Sequence, residues 1–184
     1  ETEMAALKAQ MSPHFIFNCI NSIDAFIQSN DKYNASMYLN KFAKLIRNIL
    51  DNSKNNLVPF EKDIETIKIY IELEEMRNDN KFRTEYNIDE SLYNYDIKIP
   101  PLIIQPFVEN AIIHGLRNKE SNDGILNISV VKEGDVIRYS IKDNGIGRKA
   151  AANISRKKEL SYGMQLSEDR VKLFNEEDIN HVKI

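Results

Sequence analysis

Apolar residues recur at helical spacing from the start of the chain. Met4, Leu7 and Met11 form one set, and Ile16, Ile20, Ile23 and Ile27 form another. Each set steps by three and four, the spacing of one helix face. The sets are out of phase around Pro13, where a proline removes a backbone hydrogen bond and predicts a kink. Tyr38, Phe42, Leu45 and Ile49 predict a second helix, its stripe widened by Leu39, Ile46 and Leu50. Asn30-Asp31 between them reads as a tight connection, so an antiparallel helical hairpin is expected. Two amphipathic helices cannot close a core alone. A hairpin from a second copy would complete a four-helix bundle, which predicts a homodimer.

The polar stretch Asn52-Ser53-Lys54-Asn55-Asn56 is turn-prone and divides the chain into residues 1–52 and 53–184. After it, Pro59 suits the first turn of a helix, and Phe60, Ile64, Ile67 and Ile71 give that helix its stripe. The pattern fades at Arg77-Asn78-Asp79-Asn80. Phe82, Thr84, Tyr86 and Ile88 then alternate with polar residues, as in a half-buried strand. Pro100-Pro101 predicts the opening of a helix that reaches His114 and stops at Gly115. Residues 125–131 and 136–141 read as two strands joined at Glu133-Gly134-Asp135, a hairpin. Residues 148–161 read as a basic loop, Met164 to Phe174 as a short helix, and His181 to Ile184 as the start of a strand. The expected fold class is α+β: the helical hairpin followed by a two-layer sandwich with antiparallel hairpins.

Composition narrows the function. The net charge is −3, so the basic excess of a nucleic-acid binder is missing and no direct nucleic-acid contact is expected. The single cysteine, Cys19, cannot support a disulfide framework or a Cys-rich zinc site. No apolar run approaches the ~18 residues that cross a bilayer. The chain opens in helix-like sequence without an initiator Met, which reads as a fragment whose upstream sequence would carry any membrane or sensing part.

Three segments carry candidate chemistry. Asp143-Asn144-Gly145-Ile146-Gly147 follows a strand. Asn-Gly alone signals a turn, but two glycines in one loop also let backbone N–H groups approach a ligand, and the Asp could hold an exocyclic amine. In Gln105-Pro106-Phe107-Val108-Glu109-Asn110-Ala111-Ile112-Ile113-His114-Gly115, Asn110 and His114 share a helix face, with Glu109 about 100° away. An amide oxygen at Asn110 would suit Mg²⁺, which keeps waters and bridges phosphates; a solvated polar face is the plainer reading. In Ser12-Pro13-His14-Phe15-Ile16-Phe17-Asn18, His14 is either a packing residue or an exposed nucleophile, neutral and reactive near pH 7.

Together these segments resemble the LytS/YesM-type sensor histidine kinases. The Pro-His-Phe-x-Phe-Asn segment, with a second helix after it, resembles their phosphoacceptor region. Glu72-x-x-x-Met76-Arg77, the segment from Pro100 to Gly115, Asp143-x-Gly145-x-Gly147, and Gly163-Met164 with Arg170-Val171 resemble their kinase domain in order. The resemblance implies that residues 1–52 are a dimerising phosphoacceptor hairpin. Residues 53–184 would then be an ATP-binding domain of the gyrase–chaperone–histidine-kinase (Bergerat) type. It implies that His14 takes the γ-phosphoryl group of ATP and that Asn110 holds Mg²⁺. Asp143 would hold the adenine amine, and Gly145, Gly147 and Gly163 would shape the phosphate lid. Glu109 would act as base or orienter, and His114 would belong to the nucleotide site. It further implies transfer to an aspartate of a response regulator of LytTR type, and a location on the cytoplasmic side of a membrane-anchored bacterial sensor.

The chain departs from that pattern in three places. Ile113 stands where related domains place a basic residue, Ser161-Tyr162-Gly163 carries one glycine where related boxes often carry two, and Phe15 rather than an acid follows His14. Two other readings therefore stay open: a degenerate kinase that binds nucleotide and signals as a dimer without phosphotransfer, and a nucleotide-driven clamp ATPase.

Overall fold

The computed structural model describes residues 13–52, 54–93 and 97–147. Its elements in chain order are α1 (Pro13–Gln28), α2 (Lys32–Asn52), β1 (Val58–Pro59), α3 (Phe60–Arg77), β2 (Phe82–Ile88), a 3₁₀ turn (Glu90–Tyr93), β3 (Lys98–Ile99), α4 (Gln105–Asn110), a π-helical segment (Ala111–Leu116), β4 (Gly124–Glu133) and β5 (Val136–Asp143). The fold is mixed helix and sheet, as expected. The expected elements beyond residue 147, and the Met4–Leu7–Met11 helix face, lie outside the described residues. The chain forms two compact units: residues 13–79 with 97–102, and residues 80–93 with 103–147.

In the first unit, α1 and α2 are joined by a turn in which Asn30 takes φ 58°. Asp31 caps α2 by accepting the Asn34 N–H at 3.1 Å, the ordinary work of an acidic N-cap. Tyr38, Leu45 and Ile49 are buried, as their spacing predicts. α1 departs from expectation. Its inward face is Phe15 and Cys19, whereas Ile20 and Ile27 of the expected stripe are 50% and 62% exposed. The cause is α3, which packs on the hairpin within the same chain. Phe15 stacks on Tyr70 of α3 with ring centroids 4.9 Å apart. α1 is thus apolar on two sides, and periodicity alone does not say which side the chain itself covers.

α3 begins one residue after Pro59 and is buried nearly all round. Its buried Glu74 pairs with Arg77 at 2.5 Å. At its first turn, Asp63 is fully buried and its Oδ1 accepts the Leu102 N–H at 2.6 Å. β1 pairs antiparallel with β3 and brings that incoming segment alongside. Leu102 takes φ 56°, a left-handed conformation that no α-helical residue can hold. This corrects the expected helix start: residues 101–104 form a turn, and the helix opens at Gln105 with Pro106 in its first turn.

The second unit is a three-stranded sheet in the order β2-β4-β5. β4 and β5 form the expected antiparallel hairpin, turning at Gly134 with φ 63°. β2 pairs with β4 in parallel, from Phe82↔Gly124 to Ile88↔Val130. Parallel neighbours need a crossover rather than a hairpin; α4 and the π segment supply it. Leu126, Ile128 and Val130 of β4 are buried, and so are Val108, Ile112 and Leu116 of the helix. The latter step by four, one stripe facing the sheet.

Asp63 generates a pH prediction. Burial pushes its carboxyl up to about 7, against the lowering effect of the Leu102 hydrogen bond. Among the described residues its Oδ2 has no partner. A raised folded pKa means that the folded chain keeps a proton which the unfolded chain releases from about pH 4 upward, so stability falls as pH rises from ~4 to ~7. Asp63→Asn cannot ionise and is expected to remove that loss, gaining ~2–4 kcal/mol on the unsubstituted chain between pH 4.5 and pH 7.5. Urea unfolding at the two pH values checks it; parallel pH dependences would contradict it.

Candidate functional site

The site is built where the helix of the second unit meets the end of β5. α4 runs without a break into the π segment, where the Arg117 N–H donates to the Ile112 carbonyl, five residues back, at 2.8 Å. Single π turns inside helices recur at functional sites. The helix does not stop at Gly115, as the sequence suggested, but carries it as an internal residue. Asn118 closes the end instead, donating its amide to the Ile113 and His114 carbonyls at 3.0 and 3.4 Å.

Three sequence-predicted residues stand on this helix, all half-buried: Glu109, Asn110 and His114. Glu109 accepts a hydrogen bond from the buried Gln105 side chain at 3.3 Å, which holds its carboxylate along the helix. No hydrogen bond to another described residue ties down the Asn110 amide. Among the described residues no group of three or more His, Cys, Asp and Glu could hold a metal ion. Mg²⁺ commonly takes most of its ligands from phosphate and water, with one or two from protein. The untethered amide fits that use.

The loop after β5 is fastened from both sides. Asn144 is its staple: its Oδ1 accepts the Ile125 N–H at 2.7 Å and its Nδ2 donates to the Asp123 carbonyl at 3.0 Å. Asp143 Oδ1 accepts the Gly145 N–H at 2.9 Å, an Asx turn that folds the chain back. The Ile146 N–H then donates to the Gly115 carbonyl at 3.3 Å. Neither glycine at this contact takes a side chain without a shift, of backbone at Gly145 and of the Asp143 side chain at Gly115. A Cβ on Gly115 would lie 2.5 Å from Asp143 Oδ1, and a Cβ on Gly145 would run into the Gly115 Cα and carbonyl. Gly147 differs: a Cβ there would meet open space, but its φ of 79° favours glycine. Asp143 and Gly147 are exposed.

The structure thus brings Asp143 and Gly145 against Gly115, the residue after His114, on the helix that bears Glu109 and Asn110. Asn144 and Gly115 were missed as site residues. Asn144 resembled the first half of a turn dipeptide, and Gly115 resembled a helix stop. The available signal was a glycine inside an apolar helix stripe, which marks a close backbone approach. Gly163 and the basic stretch 148–161 lie outside the described residues.

His14 belongs to the first unit. It sits in the first turn of α1, exposed, with Asn18 Nδ2 3.0 Å from its Nδ1. Phe15 beside it is buried, while Phe17 is 65% exposed. Cys19 on the inward face is no reactive centre, because burial pushes its thiol up to about 11. Arg77 of the Glu72-to-Arg77 motif is occupied by Glu74, and Glu72 pairs with Lys41 at 2.5 Å.

Known proteins resemble this chain over much of its length. A family model described as histidine kinase matches residues 2–82. The chain is 35% identical over 147 residues to the sensor protein LytS of Staphylococcus epidermidis strain RP62A, covering 80% of this chain and 24% of the relative. It is 32% identical over 147 residues to the sensor protein LytS of Staphylococcus haemolyticus, with the same coverage. The sensor histidine kinase/phosphatase LytS of Staphylococcus aureus strain Mu50 is 35% identical over 149 residues, covering 80% of this chain and 25% of that protein. The chain spans about a quarter of the length of these relatives. Across four fifths of its own length the chain is similar to these LytS-type sensor histidine kinases.

Proposed function

We propose that this chain is the phosphoacceptor and ATP-binding core of a two-component sensor. It moves the γ-phosphoryl group of ATP to His14 and passes it to an aspartate of a response regulator. The observation that carries the reading is the seating of the Asp143–Gly147 loop on the Gly115 turn of the Asn110 helix. Two motifs far apart in sequence meet there. The exposed imidazole of His14 supplies the nucleophile.

In this reading Asp143 accepts the exocyclic amine of adenine, and Gly145, Gly147 and Gly163 shape the loop that closes on the phosphates. Asn110 holds Mg²⁺ through its amide oxygen, and His114, one turn on, borders the same nucleotide. The ion, when bound, neutralises phosphate charge. Phosphoryl transfer asks little covalent help of the protein beyond positioning and charge. Glu109 acts as base or orienter. The N–P bond formed at His14 is labile, which suits onward transfer to a carboxylate. The regulator would be of LytTR type, and DNA contact would belong to it. Among the described residues no helix is long and apolar enough to cross a membrane. The chain would be the cytoplasmic part of a membrane-anchored bacterial sensor, with residues 1–52 as dimerising hairpin and 53–184 as the Bergerat-type ATPase domain.

Two expected outcomes follow. Incubation with γ-labelled ATP and Mg²⁺ should give acid-labile, alkali-stable protein phosphate that is lost in both His14→Ala and Asn110→Ala. Label that survives in His14→Ala would refute the phosphoacceptor assignment. Tight nucleotide binding without label would favour the degenerate module, which the apolar Ile113 supports. The homodimer rests on the apolar residues that α1 leaves exposed, Phe17, Ile20 and Ile27. Light scattering at micromolar concentration should give twice the chain mass, and Ile20→Asp with Ile27→Asp should halve it; a monomeric mass for the unsubstituted chain would end the dimer proposal.

A further inference from the structure

Asn18 stands one helical turn after His14 on α1, and its Nδ2 lies 3.0 Å from His14 Nδ1. Its backbone carbonyl accepts the Ser22 hydroxyl at 2.9 Å. Phe15, the residue next to His14, is buried and offers no polar atom to the ring. The amide of Asn18 is therefore the polar group that the structure places on the imidazole. We propose that Asn18 is a positioning residue that selects the nucleophilic nitrogen of His14; this rests on His14 being the phosphoacceptor.

A neutral imidazole has one N–H donor and one bare lone pair, and an amide has one donor end and one acceptor end. With Nδ2 facing Nδ1 at 3.0 Å, the Asn18 N–H can donate into Nδ1 when the ring proton sits on Nε2. A half-turn of the amide puts Oδ1 in the same place, where it accepts a proton carried by Nδ1 and leaves the Nε2 lone pair bare. Nδ1 is engaged in both arrangements, so Nε2 is the nitrogen open to substrate. In the second arrangement the Nε2 lone pair forms a bond to the γ-phosphorus of ATP. The bond from that phosphorus to the β,γ-bridging oxygen breaks, and its electron pair leaves with ADP. The ring proton stays on Nδ1, shared with Asn18 Oδ1, and the phosphorylated ring is left as an imidazolium, so of the two roles open to Glu109 the transfer itself needs only that of orienter. The first arrangement is then the resting form of the imidazole and the second its nucleophilic form.

The test starts without nucleotide, by NMR of the imidazole nitrogens in the 184-residue chain. The unsubstituted chain should show the proton on Nε2 and Nδ1 as an acceptor. Asn18→Asp, whose carboxylate can only accept, should move the proton to Nδ1. Asn18→Leu, close in size and without a polar atom, should show an averaged pair of tautomers. With labelled ATP, the unsubstituted chain should carry phosphate on Nε2. Asn18→Asp should keep that nitrogen but shift the rising limb of its pH–rate profile upward, because a carboxylate stabilises the imidazolium. Asn18→Leu should label ~10–100-fold more slowly. The same tautomer in all three chains, or labelling of Asn18→Leu within about twofold of the unsubstituted rate, overturns the proposal even though His14 is labelled. A His14 that takes no label in the unsubstituted chain overturns the phosphoacceptor reading and this proposal with it.

Discussion

The close approach of two backbones, at Gly115 and Gly145, is the constraint on which the candidate site depends. A methyl group at either position would strike the opposite chain or the Asp143 carboxylate. Because neither glycine has one, the loop after β5 lies directly on the helix, and the Ile146 N–H reaches the Gly115 carbonyl. The π register belongs to the same arrangement, since it keeps Gly115 inside the helix instead of ending it there. Asn144 holds the other side of the loop to the start of β4, so the position of Asp143 is set by contacts to two elements of its unit. A site of this kind is rigid where its side chains are fixed and open where Gly147 leaves space.

The first unit solves a different problem, which is to expose a histidine on a helix whose other faces are apolar. α3 covers the Phe15 and Cys19 side of α1 and leaves His14 and the Phe17–Ile20–Ile27 side in solvent. The polar residues that α3 buries each keep one bond: Thr66 donates to the Lys62 carbonyl at 2.8 Å, Glu74 pairs with Arg77, and Asp63 receives the Leu102 N–H, while Asp63 Oδ2 and Glu74 Oε1 have no partner among the described residues. Breaking such a buried pair is costly, because it strands the remaining charge. The Asp63 bond also holds the left-handed Leu102, and so fixes where the chain stops being turn and starts towards α4.

Much of this was legible in the pattern of residues. The α2 stripe, β2, the β4–β5 hairpin and the mixed class follow from periodicity and turn chemistry. The misses have physical causes. α1 is apolar on two sides, and only the long-range stacking of Phe15 on Tyr70 decides which side goes inward. The Pro100-Pro101 pair favours a helix start, but the Asp63 carboxylate, distant in sequence, captures Leu102 and delays it. Gly115 carries the local mark of a helix stop, and its use as a contact is invisible without the loop that meets it. In each case a tertiary contact overrode a local preference.

The central claim is that the Asp143–Gly147 loop and the Asn110–Leu116 helix form one nucleotide site, held by the two-glycine contact. Titration of the chain with Mg²⁺ and a non-hydrolysable ATP analogue, followed through backbone amide NMR, tests it most directly. The account predicts shifts concentrated in residues 109–116 and 143–147, and a loss of ~10-fold or more in affinity in Gly145→Ala, where overpacking at the contact costs ~1–3 kcal/mol. Unshifted amides in both segments, or an affinity in Gly145→Ala equal to that of the unsubstituted chain, would contradict it.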